Sequence, residues 1–330
     1  MKTTDDRKAA PAAVLIAGPT ASGKSALALE LAERIGGAVI NTDSMQVYGD
    51  LHVLSARPSA DEVSRAPHML YGNVDARERY SAGRFAEDAQ AALEQCREKG
   101  LVPIFTGGTG LYFKTLVEGL SPIPHVPDTV RARVEARIEA DGLEAAQAAL
   151  SVCDPVLSRK FPALDRQRLV RALSVFESTG RALGAWQEEK GVPILDPART
   201  VRVFLDADRD WLYSRIDARF EQMVAAGALD EVSALVARVE DATLPAMRAH
   251  GVPHLAAHLA GHMALDEAIA RSQADTRHYA KRQKTWFRHQ MSGWDSLDPA
   301  DKKARASWLQ LARGECEAHR KETAARAAKG

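Results

Sequence analysis

The stretch Gly18-Pro-Thr-Ala-Ser-Gly-Lys-Ser25 decides the fold of this chain. It follows an apolar run, Ala13-Val-Leu-Ile-Ala17, and leads straight into the helical-looking Ser25-Ala-Leu-Ala-Leu-Glu-Leu-Ala32. Strand, glycine-rich loop and helix in that order make a phosphate loop of the form G-x-x-x-x-G-K-[ST]. Glycines let the backbone curl until its N–H groups and the helix N-terminus face an anion. Gly18, Pro19, Thr20, Ala21, Ser22, Gly23, Lys24 and Ser25 are thus the candidate diphosphate-binding residues. Lys24 brings a point charge to the phosphate oxygens and is a catalytic candidate; Ser25 is the candidate ligand for Mg²⁺. A glycine turn that only happens to fit the pattern is the alternative. The loop specifies a di- or triphosphate, not what is done with it.

Working outward, a second short strand, Ala38-Val-Ile-Asn41, ends at Thr42-Asp43-Ser44. Phe85, Ala89, Ala92 and Leu93 recur at helical spacing and predict a helix over 82–99, stopped by Gly100. A third strand, Leu101 to Thr106, runs into Gly107-Gly108-Thr109-Gly110. Strands alternating with helices predict an α/β fold: a P-loop NTPase-like parallel sheet with helices on both faces. Ligands of such sheets sit at the carboxyl ends of the strands, where Ser25, Asp43 and Thr109 all fall.

Ser121-Pro-Ile-Pro-His-Val-Pro127 is a stiff, proline-rich connector, and residues 128–190 beyond it read as wholly helical. A second connector, Gly191 to Pro197, precedes another strand over 200–205. The reading is a discontinuous core, 1–121 and 197–330, with an all-helical domain inserted at 122–196. Residues 301–330 are polar and read as a surface helix with a frayed end.

Equal numbers of acidic and basic residues leave a formal charge of +0, so nucleic acid would need a local patch. Three isolated cysteines, Cys96, Cys153 and Cys316, make no metal or disulfide framework and suggest reduced thiols. The polar N-terminus resembles no signal peptide, and the apolar run after it is too short to span a bilayer. A cytoplasmic protein with no membrane partner is expected.

Several residues could carry chemistry. Asp43 suits a general base, and suits equally an Asx turn after a strand. Thr109 could donate to the bridging oxygen of a diphosphate, or its glycine-rich turn could simply connect strand to helix. On a helix over 206–224, Leu212, Ile216, Phe220 and Met223 make the core stripe. Arg215 and Arg219 share one face of it, either to clamp phosphate oxygens or as solvated partners of nearby acids. Arg277, Lys281, Lys284 and Arg288 make a basic stripe with Tyr279 and Trp286 opposite, suited to a polyanion backbone. Arg159, Lys160, Arg166, Arg168 and Arg171 form a second basic cluster.

Taken together, the chain resembles the bacterial tRNA dimethylallyltransferases, from Gly18 to about Trp294. The resemblance rests on the phosphate loop, Asp43-Ser-Met-Gln-Val-Tyr48, Ala66-Pro-His68, Gly107-Gly-Thr-Gly-Leu-Tyr-Phe113 and Glu118-Gly-Leu-Ser-Pro122. It continues through Asp165-Arg-Gln-Arg-Leu-Val-Arg-Ala-Leu173, Leu212-Tyr-Ser-Arg-Ile-Asp-Ala-Arg219 and Lys281-Arg-Gln-Lys-Thr-Trp-Phe-Arg288. It implies transfer of a dimethylallyl group from dimethylallyl diphosphate to the exocyclic amine of the adenosine 3′ of the anticodon. The tRNAs concerned are those reading codons that start with U.

In those terms Asp43 is the base, Thr109 contacts the bridging oxygen, and Arg219 helps hold the pyrophosphate. Asp43, Ser44, Met45, Gln46, Thr109, Arg131, Gln167, Arg168, Leu169, Val170 and Arg171 match positions that touch tRNA. So do Lys281, Arg282, Gln283, Lys284, Thr285, Trp286, Phe287 and Arg288. The inserted domain would embrace the anticodon stem, and the enzyme would act as a monomer.

Two departures from the family pattern stand out. Ser55-Ala-Arg-Pro58 replaces Thr-Ala-Lys-Pro, and Val252 and Pro253 replace an aromatic and a cation. Prenylation of free AMP and a small-molecule kinase are the competing activities; the kinase would need Asp206 or Asp208 for its metal. A non-catalytic RNA binder is the third alternative, against which an intact Asp43 and Thr109 argue.

Overall fold

The computed structural model describes residues 13–161 and 164–327. The polar N-terminus and the end of the expected frayed tail lie outside them. The chain forms two compact units, one running to Val117 and resuming at Ile194, the other Glu118–Pro193.

The first unit begins with β1 (Ala13–Ala17), α1 (Lys24–Ile35), β2 (Gly37–Asn41), α2 (Ala60–Arg65) and β3 (His68–Met69). It continues with α3 (Ala82–Glu98), β4 (Val102–Gly107) and α4 (Gly110–Glu118). The inserted unit holds α5 (Asp128–Cys153), α6 (Pro155–Lys160), α7 (Arg166–Thr179) and α8 (Leu183–Gln187). The chain then returns as β5 (Thr200–Leu205), α9 (Arg209–Ala225), α10 (Ala228–Arg238) and α11 (Val252–Leu259). It ends with α12 (Leu265–Gln290), β6 (Asp295–Leu297) and α13 (Lys302–Ala327).

Among the described residues six strands form one parallel sheet, in the order β3-β2-β4-β1-β5-β6. The central strands are buried throughout, which is why their sequences are continuous apolar runs rather than alternating ones. Val14, Ile16, Val39 and Ile104 face α1 on one side; Leu15, Ile40 and Phe105 face Phe85 of α3 and Phe113 and Leu116 of α4 on the other. β4 lies between β1 and β2, so the loops after these three strands open side by side.

The structure corrects the reading of the C-terminal segment as a surface helix alone. Trp308, Leu309, Ala312 and Cys316 of α13 are buried in the same cluster as α1 and one face of the sheet. They share one helix face, a sparse stripe hidden by the polar residues around it.

The unit boundaries fall at Val117 and Ile194 rather than at 122 and 196. The Ile194 and Leu195 amides both donate to the Leu116 carbonyl (3.0 and 2.8 Å), rejoining the core before the expected residue. The inserted unit has its own core, Val134, Ile138 and Leu150 of α5 against Leu169, Val170 and Leu173 of α7. Cys96 and Cys316 are buried and Cys153 is half-buried. Among the described residues no helix is long and apolar enough to cross a membrane.

Candidate active site

The phosphate loop is pinned by contacts from neighbouring segments. Gly18 N donates to Gly107 O (3.3 Å), and Arg215 Nε donates to Ala21 O (3.0 Å). Gly23 caps α1 at φ 87°, a left-handed conformation open to glycine. Just beyond it the N–H groups of Lys24, Ser25 and Ala26 have no intrahelical acceptor and face outward from the helix start. Thr20 differs from expectation. Its amide already donates to Gln283 Oε1 (3.0 Å), so it is not among the open anion donors. Lys24 is 8% exposed, its Nζ 3.3 Å from Pro19 O. Burial pulls its pKa down to about 8; the Asp43 carboxylate resists this and the Arg219 guanidinium adds to it.

Asp43 is half-buried at the end of β2. One carboxylate oxygen accepts from Met45 N (2.9 Å), so the turn-capping use is real. Its charge nevertheless reaches a ring of functional groups. It is felt by Lys24 and Arg219, by the buried hydroxyls of Tyr71, Tyr112 and Tyr279, and by His250. Burial lowers Arg219 while Asp43 opposes that shift. Thr109 is tied to the same turn: its Oγ1 accepts from Ser44 N (3.0 Å) and its amide donates to Thr42 O (3.1 Å). The structure thus brings the phosphate loop, Asp43, Thr109 and Arg219 to one end of the sheet.

The tRNA-facing expectations divide. On α12, Lys281, Arg282, Thr285 and Arg288 are exposed, and Trp286 is half-buried. His278, Lys281, Arg282, Thr285 and His289 line an open cavity of about 590 Å³. The stripe drawn through Arg277 and Lys284 is corrected, because it runs along the border of the buried face. Arg277 pairs with Asp217, and Lys284 with Asp206 (2.8 Å) and the Ala207 carbonyl. Gln283 and Phe287 are turned inward, as are Leu169 and Val170 in the inserted unit.

Gln46 is also buried, its Nε2 holding the Ser55 and Ala56 carbonyls (2.9 and 3.2 Å). Ser44 and Met45 are half-buried beside Asp43. Gln167, Arg168 and Arg171 lie exposed on α7, Arg168 beside Asp165 (3.2 Å). Arg131 pairs with Glu135 (3.0 Å), and its charge adds to the packing that lowers Arg171. Asp208 caps α9, as the competing kinase reading did not require.

Sequence reasoning set Tyr279 opposite the basic stripe but gave it no part in the site, and it missed His250 and the inward role of Gln283. Tyr279, Gln283 and Phe287 sit four residues apart, one face of α12, and that spacing was the available signal. In the loop that departs from the family pattern, Val252 is buried and Pro253 sits in the first turn of α11. His250 packs against Tyr279, the ring centroids 4.8 Å apart and the planes tilted by 46°.

The family model described as IPP transferase matches residues 46–290. A tRNA dimethylallyltransferase of Rhodopseudomonas palustris (strain BisB18) is 56% identical over 300 residues, 90% of this chain and 95% of its own. One from Nitrobacter hamburgensis is 55% identical over 295 residues, 89% and 93% of the two chains. The crystal structure of the full-length tRNA isopentenylpyrophosphate transferase of Bacillus halodurans is 31% identical, with a TM-score of 0.67 over 94% of this chain and 98% of that one. A eukaryotic dimethylallyltransferase captured acting on tRNA is 26% identical, with a TM-score of 0.77 over 91% and 77%. With the phosphate loop, Asp43 and Thr109 at one end of the sheet and relatives matched along nine-tenths of its length, this chain belongs to the IPP transferase family.

Proposed function

We propose that the protein is a tRNA dimethylallyltransferase, moving a dimethylallyl group from dimethylallyl diphosphate to the exocyclic amine of the adenosine 3′ of the anticodon. The observation that carries this is the Asp43 carboxylate, set among Lys24, Arg219 and Thr109 beside the phosphate loop. The amine nitrogen attacks the allylic carbon, the carbon–oxygen bond breaks, and the electron pair leaves with the diphosphate. Asp43 takes the proton that the amine loses. On this reading Lys24, Arg219 and the amides at the start of α1 stabilise charge developing on the leaving oxygen, and the Thr109 hydroxyl donates to it.

The residues present also fit Mg²⁺. Among the described residues no cluster of three His, Cys, Asp or Glu could hold a metal, but Ser25 is exposed at the start of α1. Mg²⁺ favours few protein ligands with substrate phosphates and waters filling the rest. Bound there, it would neutralise charge on the diphosphate, with Ser25 as its protein ligand.

The exposed Lys281, Arg282, Thr285 and Arg288 of α12 suit the tRNA backbone, as do Arg131, Gln167, Arg168 and Arg171 on the inserted unit. On this reading the inserted unit embraces the anticodon stem, and the enzyme works as a cytoplasmic monomer.

The test is an assay with tRNA, Mg²⁺ and dimethylallyl diphosphate. Pyrophosphate should be released without ATP. Asp43→Ala should lower turnover by about 10²–10⁴-fold while changing tRNA affinity far less. ATP-dependent phosphorylation of the acceptor would replace this reading with a kinase. Near-normal turnover in the variant would return Asp43 to turn capping.

A further inference from the structure

Gln283 is 5% exposed although both flanking residues, Arg282 and Lys284, carry charge. Its two polar atoms are spent on two different loops. Oε1 accepts from Thr20 N of the phosphate loop (3.0 Å), and Nε2 donates to Gly108 O (2.9 Å), next to Thr109. The approach is close: a Cβ at 108 would come within 2.1 Å of Nε2 and push the Gln283 amide aside. One turn earlier on the same face, the Tyr279 hydroxyl faces the Thr109 and Gln283 side chains. Thr109 in turn accepts from Ser44 N, beside Asp43. A chain of contacts therefore runs from the phosphate loop through Gln283 to the Thr109 turn and on to the Asp43 turn.

We infer that Gln283 is a positioning residue for alkyl transfer: it ties the loop that grips the diphosphate to the loops bearing Thr109 and Asp43. It touches neither substrate. A side-chain amide suits the task, since one donor and one acceptor answer a backbone N–H and a backbone carbonyl together. Without the tie, the allylic carbon and the base lose their fixed separation. A misplacement of about 1 Å costs on the order of 10²-fold in rate. The inference rests on the alkyl-transfer reading.

Gln283→Met keeps the side chain's length and bulk and removes both hydrogen bonds. It should lower kcat by about 10–100-fold with tRNA Kd within about twofold of wild type. Gln283→Glu keeps the acceptor for Thr20 but, when ionised, has nothing to give Gly108. Its kcat relative to wild type should recover as the pH falls and the new carboxyl is protonated. Thermal melting of each variant separates lost rate from lost fold. Normal kcat in Gln283→Met, or a rate loss that only follows the unfolded fraction, would overturn the inference. So would weakened tRNA binding at unchanged kcat, which would make Gln283 a direct tRNA contact. An inactive wild type would instead bring down the alkyl-transfer reading, and this inference with it.

Discussion

Lys24 shows what the site does to a single residue. Burial holds its pKa near 8 in the free protein, against Asp43 and with help from Arg219. A bound diphosphate brings negative charge beside it and must raise that value. Between the two values the free lysine is neutral and the bound one charged, so binding takes up a proton and affinity falls as the pH rises through about 8. Calorimetry with dimethylallyl diphosphate near pH 9, in buffers of different ionisation heat, should find uptake approaching one proton per site. Proton-neutral binding there would mean that Lys24 does not meet the diphosphate. Asp43 shows the converse lesson. The sequence left base and turn cap as alternatives, and the geometry has one carboxylate oxygen capping Met45 while the residue's charge acts on Lys24 and Arg219.

At the scale of an element, α12 carries three jobs on three faces. Its inner face holds Ala280, Gln283 and Phe287; one flank pairs Arg277 and Lys284 with acids of the β5–α9 region; the outer face presents Lys281, Arg282 and Thr285. Salt dependence separates them. On the tRNA reading, Lys281→Ala should flatten the slope of log affinity against log salt by about 0.7–0.9. Lys284→Ala should leave that slope nearly unchanged. It should lower stability instead, on the order of 1 kcal/mol, because Asp206 loses its partner and the Ala207 carbonyl its donor. Equal slopes for wild type and Lys281→Ala would make the outer face a solvated helix surface.

For the whole molecule, the decisive fact is strand order. The phosphate loop, the Thr109 turn and the Asp43 turn follow three adjacent parallel strands, β1, β4 and β2, so they meet without any long loop. That sheet must be covered on both faces, and α13 supplies part of one cover. Leu309, 1% exposed, packs in that cluster with α1, the helix that starts at the phosphate loop. Leu309→Ala should therefore destabilise the protein by about 2–5 kcal/mol in chemical denaturation, the cost of a buried leucine and its cavity. A change under about 0.5 kcal/mol would return α13 to the surface role its polarity suggests.

The sequence alone determined the phosphate loop, the α/β alternation and the helical insert, and it offered Asp43, Thr109, Lys24 and Arg219 as site candidates. These are local signals: glycine spacing, apolar runs and prolines act through the backbone within a few residues of themselves. Only the tertiary structure decided which residues of α12 face in, that Thr20 and Gly108 share Gln283, and that α13 belongs to the core. A helix's periodicity defines its faces but not the rotation at which it docks. Arg277 and Lys284 lie at the edge of two faces, and it took the acids on the β5–α9 segment to turn them inward.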